Sequence, residues 1–344
     1  VKPSSWKGII AAYQEFLPPV ATPVTLHEGN TPLVPSSWLE GRLGRRVWLK
    51  MEGSNPTCSF KDRGMTVAVS RAAEEGARGV ICASTGNTAA SAAAYAARAG
   101  LSCGILLPAG AVARGKLVQA AAHGARVIAV EGEFEEILGM AMKLAAEEGY
   151  TLVNSLNPLR LEGQATASYE ICDALGRAPA AVVLPVGNGG NITAYWMGFL
   201  RYHAAGRINS RPWMIGVQAE GANPLVRGSP VARPETVASA IRIGRPAGWK
   251  GAVEAVEASG GRFLQVSDAE ILAAQRALAE EGVFVEPASA AAAAGALHLP
   301  EAGFPDGDLV CVLTGHGLKD PDAVRMLEPK RVPLSPGGLR AALA

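Results

Sequence analysis

The stretch Ser54-Asn55-Pro56-Thr57-Cys58-Ser59-Phe60-Lys61-Asp62-Arg63-Gly64 holds the side chain best suited to covalent chemistry. Pro56 pushes Asn55 out of the helical region, so the segment reads as a turn-rich loop that enters a helix at Ser59. Ser59 is expected to cap that helix. Asp62 completes a capping-box pattern, and Met65, Val67, Ala68, Val69 and Ala72 supply the apolar face. An ammonium on Lys61 would stand at the positive end of the helix dipole beside the desolvating wall of Phe60, and both effects favour the neutral, nucleophilic amine. A neutral lysine is what a Schiff base with an aldehyde cofactor requires. A surface lysine paired with Asp62 is the alternative that this stretch leaves open.

Such a lysine needs strands and helices to hold it over a ligand, and the chain alternates them. Short apolar runs at Val47-Trp48-Leu49, Val80-Ile81-Cys82-Ala83, Ile105-Leu106-Leu107, Val127-Ile128-Ala129-Val130, Leu152-Val153, Val182-Val183-Leu184, Met214-Ile215-Gly216-Val217 and Leu309-Val310-Cys311-Val312-Leu313 read as strands. Helical patterns follow several of them, from about Lys116, Phe134, Glu162 and Ile192. Strand followed by helix, repeated, predicts parallel strands with right-handed crossovers, hence an open α/β sheet. Residues 221–262, rich in glycine, proline and arginine, read as a long loop region or lid.

Ligands of such sheets bind beyond the carboxyl ends of the strands, which directs attention to the polar loops there. Ser84-Thr85-Gly86-Asn87-Thr88 gathers hydroxyls and an amide around a glycine before a helix, a nest for a carboxylate or phosphate, or else an ordinary N-cap turn. Gly110-Ala111-Val112-Ala113-Arg114-Gly115-Lys116-Leu117 matches the spacing of a P-loop but places Leu117 where a hydroxyl would hold magnesium, which counts against nucleotide hydrolysis. Lys116 remains a candidate phosphate contact. Asn154, Ser155 and Arg160 bring amide, hydroxyl and guanidinium to another strand end, a set suited to phosphate or to a structural turn. Gly187-Asn188-Gly189-Gly190-Asn191 exposes backbone N–H groups at a helix start, a cradle for a phosphate monoester; Ile192 stands where a dinucleotide fingerprint needs its third glycine. Thr314-Gly315-His316-Gly317 closes the series, with a hydroxyl able to bond a ring nitrogen and a histidine that reads as structural.

The bulk properties set the frame. The 344 residues exceed one typical core, so one large or two interleaved domains are expected. Lys+Arg 32 against Asp+Glu 31 leaves a net charge of +1, which gives no electrostatic footprint for nucleic acid or an anionic membrane. The cysteines (Cys58, Cys82, Cys103, Cys172, Cys311) are odd in number and widely spaced, against a disulfide framework or a structural zinc, and consistent with a reducing cytoplasm. Neither a leader segment nor a membrane span is expected, so the protein reads as soluble and cytoplasmic.

Ser59-Phe60-Lys61-Asp62-Arg63-Gly64, Ser84-Thr85-Gly86-Asn87-Thr88, Gly187-Asn188-Gly189-Gly190-Asn191 and Leu313-Thr314-Gly315-His316-Gly317-Leu318-Lys319-Asp320 stand in the order seen in pyridoxal-phosphate enzymes of the tryptophan synthase β-like fold, fold type II. Among these the chain resembles the threonine synthase family, from Gly29-Asn30-Thr31-Pro32-Leu33 to Asp320. The resemblance implies two open parallel-sheet α/β domains: a small mobile one at 51–153, and a large one built from 1–50 and 154–344. The cofactor it implies is pyridoxal 5'-phosphate, held covalently by Lys61. Phe60 would pack on the ring, Asn87 would bond its phenolic oxygen, Gly187, Asn188, Gly189, Gly190 and Asn191 would cradle its phosphate, and Thr314 would bond its ring nitrogen. Ser84, Thr85 and Thr88 would receive the substrate carboxylate, while Lys116, Asn154, Ser155 and Arg160 would bind the phosphate of O-phospho-L-homoserine. The reaction implied is conversion of that substrate and water to L-threonine and phosphate, by a homodimer without metal. Two readings remain beside it: a threonine or serine dehydratase using the same cofactor, and a binding protein that keeps the fold without catalysis.

Overall fold

The computed structural model describes residues 6–84, 86–109, 114–132, 134–155, 157–299 and 304–321. Its strands, in chain order, are β1 (Leu33–Pro35), β2 (Val47–Met51), β3 (Gly79–Ala83), β4 (Ser102–Pro108), β5 (Arg126–Val130), β6 (Tyr150–Leu152), β7 (Ala181–Pro185), β8 (Trp213–Ala219), β9 (Arg262–Val266) and β10 (Leu309–Leu313). The helices are α1 (Ile9–Ala12), α2 (Ser37–Leu43), α3 (Lys61–Glu74), α4 (Asn87–Ala99), α5 (Arg114–Ala122), α6 (Phe134–Glu148), α7 (Pro158–Leu175), α8 (Gly190–Ala204), α9 (Pro224–Arg227), α10 (Trp249–Ser259), α11 (Asp268–Glu280) and α12 (Pro287–Ala296).

Two sheets result. One is six-stranded in the order β1-β2-β10-β7-β8-β9, the other four-stranded in the order β5-β4-β3-β6. Every pairing is parallel except β1 with β2. The central strands β3, β7 and β10 are buried along their whole length, as their unbroken apolar runs demand, because helices cover both faces of a parallel sheet. One face of the larger sheet packs on α1, α7, α8 and α10, the other on α2, α11 and α12. The smaller sheet lies between α3 with α4 on one side and α6 on the other. Helix α12, Pro-Ala-Ser followed by an alanine run, is buried at every position and is accordingly apolar all round.

Each sheet has a place where the strand order reverses direction, and both openings face one region. In the larger sheet β10 lies between β2 and β7, so the loops leaving these three strands gather at one edge. In the smaller sheet β6 flanks β3 on the side opposite β4. The loops after β3 and β6 gather there.

A buried ion network joins the parts. Arg63 donates from Nε to Glu52 Oε2 at 2.7 Å and from Nη1 to Glu170 Oε1 at 2.7 Å, and Lys50 Nζ meets Glu170 Oε2 at 2.7 Å. Two cations face two carboxylates, so the charges compensate inside a region where an unpaired one would be costly. Arg63 lies on α3, Glu170 on α7 and Lys50 on β2, so the network fixes the start of the Lys61 helix against the larger sheet.

Three local expectations are corrected. The helix begins at Lys61, not Ser59, and there is no capping box: Asp62 accepts from Thr57 N at 2.6 Å, Thr57 Oγ1 at 2.5 Å and Ser91 Oγ at 2.6 Å, while Ser59 Oγ is buried without a partner among the described residues. The carboxylate folds back on the loop that precedes it. Within 221–262, residues 249–259 form α10, and Ala238 and Ile241 are buried, so only part of that segment is loop. Strands β1 and β9 lie at the edges of the sheet, where half-exposed sequences carry a weak apolar signal.

Candidate active site

Helix starts converge on one cavity of about 270 Å³ between the two sheets. Lys61 is the first residue of α3, Asn87 of α4 and Gly190 of α8, and Glu286 immediately precedes α12. All four line the cavity, so it collects the positive ends of several helix dipoles and is suited to anionic ligands.

Lys61 is held from two directions. Phe60 N donates to Thr314 O at 3.0 Å and His316 N to Cys58 O at 3.0 Å, which ties the loop before α3 to the end of β10. The Lys61 amine sits 4.2 Å from the centroid of the Phe60 ring. Burial, followed by the Arg160 guanidinium, lowers its pKa to about 7, with Glu286 opposing. At neutral pH a large share of this lysine is therefore the free amine that a carbonyl carbon accepts.

At the opposite wall Gly187, Asn188, Gly189, Gly190 and Asn191 pass from β7 into α8. Gly189 has φ 84°, a left-handed conformation, and a Cβ there would lie 2.7 Å from Gly248 O. Gly248 N in turn donates to Asn188 O at 2.8 Å, clamping the turn from outside. The Asn191 carboxamide is buried, and neither its nitrogen nor its oxygen has a hydrogen-bond partner among the described residues. Polar atoms so placed, beside exposed backbone N–H groups at a helix start, fit a phosphate monoester. On the third side Thr314 lines the cavity, its Oγ1 sharing a hydrogen bond of 3.1 Å with Ser289 Oγ behind it, a hydroxyl suited to a ring nitrogen. Lysine, cradle and hydroxyl together fit a phosphorylated pyridine aldehyde. The Asn87 amide nitrogen donates to Glu286 Oε1 at 3.0 Å.

The remaining expected residues fall around the same space. Ser84, Thr88, Asn154, Ser155 and Arg160 line it. Thr85 and the side chain of Lys116 lie outside the described residues, as does the start of the P-loop-like segment at 110–113. Asn154 spends its carboxamide on the backbone of Ala83, accepting from N at 2.9 Å and donating to O at 2.8 Å, so it fixes the strand end that leads to Ser84. Arg160 is 1% exposed and donates from Nη1 to Val153 O at 3.2 Å, while its Nε and Nη2 have no partner among the described residues. Desolvation lowers its pKa to about 10. A buried guanidinium with unspent donors on a cavity wall is suited to an anion.

Sequence reasoning assigned no role to Glu286, Gln164, Ser289, Lys319 or the segment Ser239–Ile243, all but Ser289 lining the cavity. One signal was available: Glu286-Pro287 precedes a helix too apolar to be anything but buried, so its leading carboxyl had to be buried too. Lys319 Nζ donates to Gln119 Oε1 at 2.5 Å, a bond from the end of the larger sheet to α5 beside the smaller one. That pairing joins positions 200 residues apart and leaves no local trace.

Comparison with known proteins agrees with this geometry. The family model described as pyridoxal-phosphate dependent enzyme matches residues 24–315. The chain is 57% identical to threonine synthase of Mycobacterium leprae over 92% of this chain and 90% of that one. It is 55% identical to threonine synthase of Synechocystis over 92% and 84%, and 51% identical to that of Methanocaldococcus jannaschii over 90% and 80%. Among solved structures, threonine deaminase isoform 2 of Solanum lycopersicum superposes with a TM-score of 0.73 at 26% identity, covering 84% of this chain and 80% of that one. Cysteine synthase of Entamoeba histolytica shares the fold, with a TM-score of 0.74 at 21% identity over 88% and 90%. With a lysine, a glycine turn at a helix start and a threonine hydroxyl around one cavity, and relatives more than half identical over nine-tenths of its length, the chain belongs to the pyridoxal-phosphate dependent enzymes of fold type II, and within them to the threonine synthase family.

Proposed function

We infer that the chain converts O-phospho-L-homoserine and water to L-threonine and phosphate, with pyridoxal phosphate as cofactor. The observation that carries the substrate assignment is Arg160: a second anion site, with two unspent donors among the described residues, in the same cavity as Lys61 and the glycine cradle. A substrate bearing only one carboxylate leaves that guanidinium uncompensated; one that carries a carboxylate and a phosphate satisfies it.

When bound, the cofactor supplies an electron-accepting ring that acidifies the α-carbon proton of the amino acid attached to it. Lys61 would hold the cofactor through its amine and, when free, would serve as the base. It would move the proton off Cα, carry one from Cβ to Cγ after phosphate has left Cγ, and restore a proton at Cα once water has given its hydroxyl to Cβ and its own proton to the departing phosphate. Its lowered pKa suits both directions of transfer near neutral pH. Ser84, Thr85 and Thr88 bind the carboxylate at the start of α4, orienting Cα toward Lys61. Arg160, with Ser155 and Lys116, holds the phosphate and stabilises it as it leaves, and Asn154 secures the strand end beneath. Water adds at Cβ, and it is excluded until then by closing the smaller domain, residues 51–153, on the larger. Among the described residues no helix is long and apolar enough to cross a membrane.

The test is Arg160→Ala. Steady-state kinetics should show kcat/KM for O-phosphohomoserine falling about a hundredfold or more, with affinity for an analogue lacking phosphate changed far less. Equal losses for both would remove Arg160 from the phosphate site.

A further inference from the structure

Asn87 has a carboxamide whose two ends are interchangeable in shape but opposite in hydrogen bonding. Its nitrogen lies 3.0 Å from Glu286 Oε1 and 3.3 Å from Oε2. An ionised carboxyl only accepts, so it admits the Asn87 amide in one orientation, nitrogen toward the carboxylate, and both side chains line the cavity. The pair fills its space closely: a Cβ on Gly315 would collide with Glu286 Oε1 and lie 3.4 Å from Asn87 Nδ2. Glu286 is itself fixed by its backbone N–H, which donates to Gly315 O at 3.2 Å, and is 3% exposed.

The charged groups that face Glu286 are Lys61 from α3 and, from the end of β10, Lys319 and Asp320. Burial raises the Glu286 carboxyl to about 7, with Asn87 and Lys319 pulling it down and Asp320 pushing it up. A carboxyl at this position titrates in the working range of Lys61 and is the only acidic side chain that lines the cavity among the described residues.

We propose that Glu286 is a positioning residue for the reaction: it holds the Asn87 amide nitrogen toward the phenolic edge of the cofactor ring, and its carboxylate stands as the counter-charge to the Lys61 nitrogen in the same cavity. The proposal rests on the reading of Asn87 as the partner of that ring oxygen. Glutamine at 286 keeps an acceptor for the Asn87 amide but removes the charge, whereas alanine removes both. The two functions therefore separate.

The experiment compares Glu286→Gln, Glu286→Ala, Asn87→Ala and the double variant Asn87→Ala/Glu286→Ala as holoenzymes, reading cofactor affinity and the visible absorption spectrum against pH. Glu286→Gln should keep cofactor affinity within a few-fold and move the spectral midpoint to lower pH, because the charge that favours the protonated nitrogen is gone. Glu286→Ala should weaken cofactor binding about tenfold. The double variant should bind no worse than Asn87→Ala alone, since Glu286 acts through that amide. A midpoint unchanged in Glu286→Gln overturns the electrostatic role, and additive losses in the double variant overturn the positioning role. Wild-type affinity and spectrum in Asn87→Ala would remove Asn87 from the ring, and the positioning role with it. Glu286→Gln is nearly isosteric, so the test stands even where Glu286→Ala does not fold.

Discussion

Gly64 on α3 and Arg160 on α7 meet main chain to main chain: a Cβ on Gly64 would lie 2.6 Å from the Arg160 carbonyl oxygen. One turn along α7, a Cβ on Gly163 would overlap the carbonyl oxygen of Arg63. The helices that carry Lys61 and Arg160 thus cross at a pair of glycines. Their closeness brings Lys61 and Arg160 into one cavity.

Replacing either crossing glycine must push the helices apart. Gly163→Ala is expected to destabilise the protein by about 1–3 kcal/mol and to lower activity beyond what the loss of folded protein explains. Gly139 on α6 has open space where a Cβ would go, so Gly139→Ala should stabilise by about 0.5–1 kcal/mol. Urea unfolding of both variants checks the pair. Equal effects of either sign would refute the crossing argument.

Cys58 carries backbone strain three residues before Lys61, with φ 66° in the left-handed region. A side chain there costs about 1 kcal/mol, and glycine removes the cost. Cys58→Gly should therefore raise the unfolding free energy by about 0.5–1 kcal/mol while cofactor binding is kept. A loss of stability would mean that the thiol's own packing outweighs the strain.

The ionisation of Lys61 is measurable in cofactor-free protein as its rate of reaction with an amine reagent. Because burial and Arg160 lower its pKa to about 7, reactivity should rise through that pH rather than through the ordinary lysine value. Below about 7 the ammonium dominates and reaction slows; above it the free amine is fully present. Arg160→Ala removes a positive neighbour and should move the midpoint up, whereas Glu286→Gln removes a negative one and should move it down. A midpoint that neither variant shifts would contradict this electrostatic picture.

Much of the fold is legible in the sequence because buried parallel strands are unbroken apolar runs. Leu309-Val310-Cys311-Val312-Leu313 announces β10 to the residue. Edge strands such as β9, with Arg262 and Gln265 exposed, carry no such signal. The site residues are legible where chemistry demands a local pattern: a lysine at a helix start, a glycine turn into a helix. Glu286, Lys319 and Ser289 depend on partners far along the chain, and distance in sequence hides them. The capping box fails for the same reason, since Asp62 is drawn to Thr57 and Ser91 by burial that its own neighbours do not reveal.

The central claim is that one cavity binds a doubly anionic amino acid and turns it into threonine. The most direct test is to incubate the cofactor-loaded protein with O-phosphohomoserine, and separately with threonine, and to identify the products. Threonine and inorganic phosphate in equal amounts from the former, with little keto acid from the latter, is the expected result. Keto acid from threonine and no turnover of O-phosphohomoserine would contradict it, and would make the enzyme a dehydratase in which Arg160 serves some other anion.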